Sequence, residues 1–442
     1  MISPPPSPSP FEGEGWVGGN RIRFYESLNV LSIIISHSEK IGKNGSMEYN
    51  RLYLNLKRNY FSEVYIMANY IVLGTWNTKY EELDFLCEEI RRRFHQPIPL
   101  DLSTKKTTDT RNIAIRQSIS RAKAKLKEIA KKKHISGVIS VGGGTSLFMA
   151  TKLMDDIPLF VPKIIVSTMI VNSIHNFKPY KDILYFQSPC DFGMLNPLTK
   201  SLLTNCVTIL TSTGEGLPRP DKPSIAITGF GITDGCFQAV KNFWSKKDFH
   251  LVPFHAIGEN TMAMAELIRM GFFKGIMDLT LHDVMDHIAG GAYGKIDKNR
   301  LYAYLSKDLP AVIAPGGLDT IAFPDGHPSL PLLKKRKRYH HDFRWGIKAN
   351  KEELIKTAKW IGNILKETYP KNLIILIPLR GWSYPGEKGR EFHDPELIGL
   401  FTKWIKKFFR EDSVIEVEHS INDPEFGRVA SNHLYHLIMN TQ

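Results

Sequence analysis

The sequence is poor in the features that mark secreted, membrane-spanning and metal-stapled proteins. Its 442 residues include four cysteines, Cys87, Cys190, Cys206 and Cys236, far apart and with no CxxC pair. That spacing argues against a zinc ribbon or a disulfide framework and reads as reduced thiols in an intracellular setting. No apolar run reaches the roughly 18–20 residues that a membrane helix needs. The longest near the start, Val30 to Ile35, lacks the charged flank and cleavage site of a signal peptide. A Walker GxxxxGK[ST] motif is missing too, since Gly291 to Ile296 fails its spacing and its last position. The dinucleotide fingerprint is only approximated by Gly229-Phe230-Gly231-Ile232-Thr233-Asp234-Gly235, which is one residue too long. The acidic residue expected after the next strand is replaced by His255-Ala256-Ile257. An NAD(P)-dependent oxidoreductase therefore rests on Gly229, Gly231 and Gly235 alone.

What is present is a basic chain, with 58 Lys and Arg against 45 Asp and Glu and a net charge of +13. Such a balance raises nucleic acid or an acidic ligand as a partner. The lysines of Arg121 to Lys133, however, fall mostly opposite a helical apolar stripe of Ile115, Ile119, Ala122, Leu126 and Ile129, and so read as a solvated face. The run Lys334 to Arg338 reads as an exposed loop. Nucleic acid is not the expected partner.

Residues 1–66 open with a Pro/Ser/Gly-rich stretch and sustain no period, so they read as a low-complexity extension, with Met67 as the real or structural start. From there apolar strands and helices alternate. Strands are expected at 69–75, 137–144 and 163–168, with helices at 80–93, 111–133, 146–154 and 196–213. A Gly/Pro linker spans 214–223. The alternation then restarts, with strands at 224–228, 250–255, 275–280, 311–317, 372–381 and 414–419. The intervening helices are expected at 236–245, 262–270, 282–289, 351–368 and 395–409. This pattern predicts two doubly wound parallel-sheet domains, 67–213 and 224–442.

Ligands of open α/β sheets bind outside the carboxyl ends of the strands. Gly142-Gly143-Gly144-Thr145-Ser146 lies at one such end and opens a helix, where converging N–H groups can cradle phosphate. Gly74 to Lys79 is a second strand-to-helix loop. Thr78 there is a candidate N-cap, and Thr75 and Lys79 stand within reach of a phosphate. Further strand ends carry Asp278 and Thr280, then Pro315 to Asp319, then Pro378 to Gly381. An Asp so placed can hold Mg2+ or accept a hydroxyl, and Arg380 suits a carboxylate or phosphate fork. His255, His393 and His419 are candidate acid–base groups.

Taken in order, GTWNTKYEELDFL, VISVGGGTSL, PKIIVST, DFGMLNPLTKSLLTN, FGITDGC, FHAIGENTMAMAELI, IMDLTLHDVMDHIAGG, PGGLDTIAF, IPLRGWS, FHDPE and INDPEF resemble one family. It is the uncharacterised bacterial family related to the N-terminal ATP-binding domain of the tomato mosaic virus resistance protein, and the likeness runs from about Asn69 to Phe426. The resemblance implies two Rossmann-like subdomains, ATP binding and homodimers. The chain departs from the family pattern at Asn77, where a carboxylate is usual, at Tyr80, and at Asn260-Thr261, where glycines are usual.

These readings together give a cytoplasmic, ATP-binding two-domain protein, with Mg2+ accompanying the nucleotide and a small carboxylate or phosphate metabolite at the interdomain cleft. Gly142, Gly143, Gly144, Thr145, Ser146, Thr75, Thr78 and Lys79 are its expected nucleotide residues. Asp319, Arg380 and His255 are the catalytic candidates, and Asp278 and Asp319 the metal candidates. The alternative is a nucleotide-binding regulatory or interaction module without turnover.

Overall fold

Buried apolar strands followed by one-sided helices dictate a layered α/β architecture from Asn69 onward. The computed structural model describes residues 67–104, 110–173, 181–213 and 220–441. The expected extension 1–66 and most of the expected linker, 214–219, lie outside the described residues.

In the first half the elements run β1 (Asn69–Gly74), α1 (Tyr80–Arg92), β2 (Gln96–Asp101), α2 (Arg111–Lys132), β3 (Gly137–Gly142), α3 (Gly144–Met154), β4 (Lys163–Ser167), α4 (Ile170–Ser173), β5 (Ile183–Gln187) and α5 (Pro197–Ser212). The five strands are all parallel and lie in the order β2-β1-β3-β4-β5. Successive side chains of a strand point to opposite faces, so each central strand feeds two cores. Tyr70 and Val72 of β1 pack with Leu83, Leu86 and Ile90 of α1 and Leu203, Val207 and Leu210 of α5. Ile71 and Leu73 pack on the other face with Ala122 and Leu126 of α2 and Leu147, Ala150 and Leu153 of α3. The lysines of α2 point away from that core, as the apolar stripe predicts.

The second half begins with β6 (Ser224–Gly229), α6 (Asp234–Trp244), β7 (His250–His255), α7 (Gly258–Arg269), β8 (Phe273–Thr280), α8 (His282–Ala289), α9 (Asn299–Leu305) and β9 (Ala311–Gly316). It continues with β10 (Thr320–Pro324), β11 (Arg338–His341), β12 (Arg344–Lys348), α10 (Lys351–Thr368), β13 (Leu373–Pro378), α11 (Pro395–Ile405), β14 (Val414–Val417) and α12 (Pro424–Thr441). Its main sheet is parallel, in the order β14-β13-β9-β8-β6-β7. Counted within each half, both sheets run 2-1-3-4-5, and the second adds a sixth strand. In both, the strand order reverses between the half's first and third strands, β1/β3 and β6/β8. Two doubly wound parallel sheets are what the alternation predicts.

The structure also holds elements that the pattern does not announce. Between β9 and α10 lies a three-stranded antiparallel sheet, β10-β12-β11. The basic run expected to be a loop enters it: Arg338 starts β11, and Arg336 forms an ion pair with Glu353 at 2.7 Å. The chain divides into two units at Met67/Ala68, and the unit Ala68–Gln442 holds both α/β halves. A nearly buried ion pair, Lys181 to Glu266 of α7 at 2.6 Å, ties the two halves together, and Leu159 of the first half enters the core of the second. Among the described residues no helix is long and apolar enough to cross a membrane.

Candidate functional site

The reversal of strand order opens a crevice at the carboxyl ends of β1 and β3, and the two loops singled out in the sequence meet there. Gly142 ends β3 with φ of +152°, and a Cβ on it would sit 2.6 Å from Ser146 Oγ. Glycine is therefore required at 142, where the chain folds back against the helix it is about to start. Helix α3 begins at Gly144, two residues earlier than its apolar pattern suggests, with Gly143 as N-cap. Gly143 has φ of −82°, and a Cβ added there meets nothing within 4 Å. The first N–H groups of a helix have no intrahelical partner, so this turn offers bare donors at the positive end of the helix dipole.

The other wall is the loop after β1. Thr75 Oγ1 lies 3.3 Å from Ser146 Oγ and 2.7 Å from Thr78 Oγ1, which joins the two loops into one hydroxyl-lined rim. Thr78 does not cap α1 as expected. Its hydroxyl turns back to donate to the Thr75 carbonyl at 3.2 Å, and Lys79 holds the N-cap position without a side-chain cap bond. Among the described residues nothing pairs with the Lys79 ammonium. Asn77 is locked to Ser103 through bonds of 2.9 and 3.1 Å, and Tyr80 is exposed with its ring edge-on to Trp76. Sequence reasoning missed Arg111, which opens α2 and places Nη2 3.5 Å from Thr145 Oγ1. The only signal for it is a basic residue at a helix start, and nothing in the sequence brings that helix beside the glycine turn.

The second half treats its strand-end carboxylates differently. Asp278 of β8 is fully buried and accepts from Arg300 Nη1 and Nη2 at 2.6 and 2.9 Å, from Tyr304 at 2.7 Å and from Thr228 at 2.9 Å. Four donors use the acceptor capacity of both oxygens. This makes Asp278 the counter-ion of Arg300, which also meets Asp283 at 2.8 Å, rather than the free metal ligand its place at a strand end suggests. Asp319 is buried as well. Its Oδ2 accepts from Ser383 at 2.7 Å and its Oδ1 from Thr320 at 3.2 Å, and burial pushes its carboxyl up to about 6.

Arg380 emerges at the carboxyl edge of β13, exposed, 3.7 Å from Glu418. His255 ends β7, and partial burial together with the nearby Arg344 charge holds its imidazole below the usual value. His393 faces the Gly386 carbonyl at 3.2 Å, and His419 is paired with Asp423 at 2.7 Å. Among the described residues no hydrogen bond or ion pair joins Asp278, Asp319, Arg380 and His255 to one another. No group of three or more His, Cys, Asp or Glu among them is placed to hold a metal ion. Burial pushes the thiols of Cys206 and Cys236 up to about 12 and that of Cys87 to about 11, which removes all three as ready thiolates.

Two halves built on one strand order are matched by two family models. Residues 104–215 match the N-terminal domain of the uncharacterised protein family UPF0261, and residues 222–438 match its C-terminal domain. The chain belongs to this family. A UPF0261 protein of Clostridium tetani is 28% identical over 399 residues, covering 83% of this chain and 98% of the relative. A UPF0261 protein of Rhizobium meliloti is 27% identical, covering 82% and 98%. The ToMV resistance protein Tm-1 of Solanum lycopersicum is 26% identical over 80% of this chain, which spans only 54% of that relative's length. The boundary between the two family models coincides with the passage from the first sheet to the second.

Proposed function

We propose that the first half binds ATP, with its phosphates on the Gly142–Ser146 turn, and that the second half takes a small carboxylate or phosphate metabolite. One observation carries the nucleotide reading. A turn of three glycines opens a helix at the point where the strand order reverses, and a hydroxyl from the facing loop lies 3.3 Å from it. The open space at Gly143 is what a phosphate oxygen needs to approach backbone N–H groups. Thr75, Thr145 and Ser146 supply hydroxyls. Thr78 holds Thr75 in place, and Lys79 and Arg111 supply positive charge. Mg2+ would arrive with the nucleotide and keep most of its ligands from phosphate and water. The family resemblance supports ATP as the nucleotide and a cytoplasmic homodimer as the acting form.

Calorimetric titration with ATP tests this. Gly143→Ala abolishes binding while costing little stability, because its φ suits alanine and its Cβ meets open space. Thr145→Ala weakens binding less, and Lys79→Ala weakens it by about tenfold or more. ATP binding by Gly143→Ala at the parent affinity would make the loop a turn and nothing else.

A second reading, a nucleotide-binding module without turnover, draws on the commitment of Asp278 to Arg300 and of Asp319 to Ser383. Two carboxylates singled out for chemistry already have internal partners. ATP hydrolysis stimulated by a metabolite would exclude the module, and its absence across a broad metabolite panel would favour it.

A further inference from the structure

The crevice of the second half, between the carboxyl ends of β6 and β8, is lined by rings and a guanidinium. The loop after β6 places Phe230 between two imidazoles. His255 stacks on it at 4.9 Å between centroids and 29° between planes, and His282 at 4.2 Å and 13°. His282 is fully buried, its ring nitrogens make no hydrogen bond among the described residues, with Nε2 3.8 Å from Asp286, and burial pushes it down to about 3. It is therefore a neutral ring packed beneath Phe230. Asp286, buried and raised well above the usual carboxyl range by that burial, accepts from the Tyr293 amide at 3.0 Å and from Ala322 at 2.9 Å, fixing the loop that brings Tyr293 alongside.

The β11–β12 hairpin, absent from the basic 2-1-3-4-5 plan, reaches the same place. His341 Nε2 lies 3.9 Å from where a Gly231 Cβ would stand. Arg344 lies close enough to Tyr293, His255 and His282 for its charge to act on all three. One guanidinium nitrogen meets Asp342 at 2.9 Å, on the half-exposed turn of the hairpin. Arg344 stands across the hairpin from His341, whose Nε2 lies 3.4 Å from the same Asp342 carboxylate. A half-buried arginine flanked by two exposed histidines and a ring wall is a receptor for an oxyanion.

We propose that the β6/β8 crevice binds the oxyanion of a small acidic metabolite, carboxylate or phosphate, with Arg344 as its anchor and His255 and His341 as its flanking hydrogen-bond partners. This rests on the metabolite part of the proposed function and is independent of the nucleotide part. A ring-bearing acid gains over a bare one, because the open face of His255 and the ring of Tyr293 lie beside the anchor.

Ligand-observed NMR titrations of the full chain with acetate, benzoate, inorganic phosphate and phenyl phosphate test this. At least one ring-bearing probe binds saturably, and whether benzoate or phenyl phosphate binds tighter identifies the oxyanion. Arg344→Gln weakens that probe at least tenfold with the melting temperature held within about 2 °C, and Arg344→Lys recovers part of the loss. Gly143→Ala, which abolishes ATP binding, and Lys79→Ala, which weakens it, leave the probe binding at the parent level. The proposal is overturned if no probe binds saturably, if Arg344→Gln binds like the parent, or if the probe is lost with Lys79→Ala instead.

Discussion

The two halves wind their sheets in one order and line the equivalent crevices with opposite materials. At β1/β3 stand glycines and hydroxyls, with the first N–H groups of a helix and an ammonium that has no partner among the described residues. At β6/β8 stand stacked rings and a guanidinium delivered by an inserted hairpin. The layers beneath differ in the same sense. The first sheet is backed near its crevice by Val72, Val141 and Val166, and the second by the buried set of Asp278, Asp283, Arg300 and Tyr304. Topology thus fixes where a crevice opens, and the local residues fix what it can receive.

The buried charges beneath the second crevice give the largest expected effect. Arg300→Met leaves Asp278 and Asp283 facing each other in the core without a cation. The expected loss is about 3–5 kcal/mol in urea unfolding, since breaking a buried pair strands the remaining charge. A loss below about 1 kcal/mol would mean that the two carboxylates take up protons at little cost, and the contrast between the two cores would shrink accordingly.

Next comes the pH dependence set by Asp319. Its carboxyl is raised to about 6 in the folded chain, against about 3.9 in an unfolded one. Between those values the folded state binds more protons than the unfolded state, so stability falls as pH rises. The contribution is fully present below about pH 4 and is gone above about pH 6, with a total near 3 kcal/mol as an order of magnitude. Unfolding free energies from pH 4 to 7 show this slope in the parent, and Asp319→Asn flattens it. An unchanged slope in that variant would place the titrating group elsewhere.

On the first side the corresponding stability probe is Gly142→Ala. The positive φ and the 2.6 Å approach to Ser146 both oppose a side chain, and the expected cost is about 2 kcal/mol. Gly143→Ala, one residue on, costs little. A reversed ranking would mean that the turn relaxes around residue 142.

Most of the parallel framework is legible because buried parallel strands are continuous apolar runs. His282–Ala289 and Lys351–Thr368 form helices with the bounds their periodicity suggests. Strand β2 is not legible, since Pro97 and Pro99 argue against a strand. It survives at the sheet edge, where Gln96 donates to Ala68 while the alternate proline nitrogens face away from β1. Helix α12 hides behind Gly427, Ser431, Asn432 and His433, all weak helix formers. Its register is set by tertiary contact, since a Cβ on Gly427 would come within 2.6 Å of Ala239 on α6. The glycine turn could be read because its chemistry is contiguous in sequence. The pairing of Asp278 with Arg300, and the arrival of Arg344 from an inserted hairpin, join segments far apart in the chain and leave no local trace.

The smallest stability effect belongs to Arg380, and its smallness is what makes it informative. The guanidinium is 62% exposed and stands 3.7 Å from a carboxylate that is itself 72% exposed. Such surface pairs contribute about 0–1 kcal/mol, and the long contact places this one at the low end. Arg380→Lys keeps the charge and loses the planar fork. Its unfolding midpoint therefore stays at the parent value within error. Any loss of metabolite affinity in this variant then reports direct contact at the β13 edge and extends the second crevice beyond Arg344. Unchanged affinity with unchanged stability confines ligand binding to the β6/β8 crevice, and a clear drop in stability would make Arg380 a structural ion-pair residue instead.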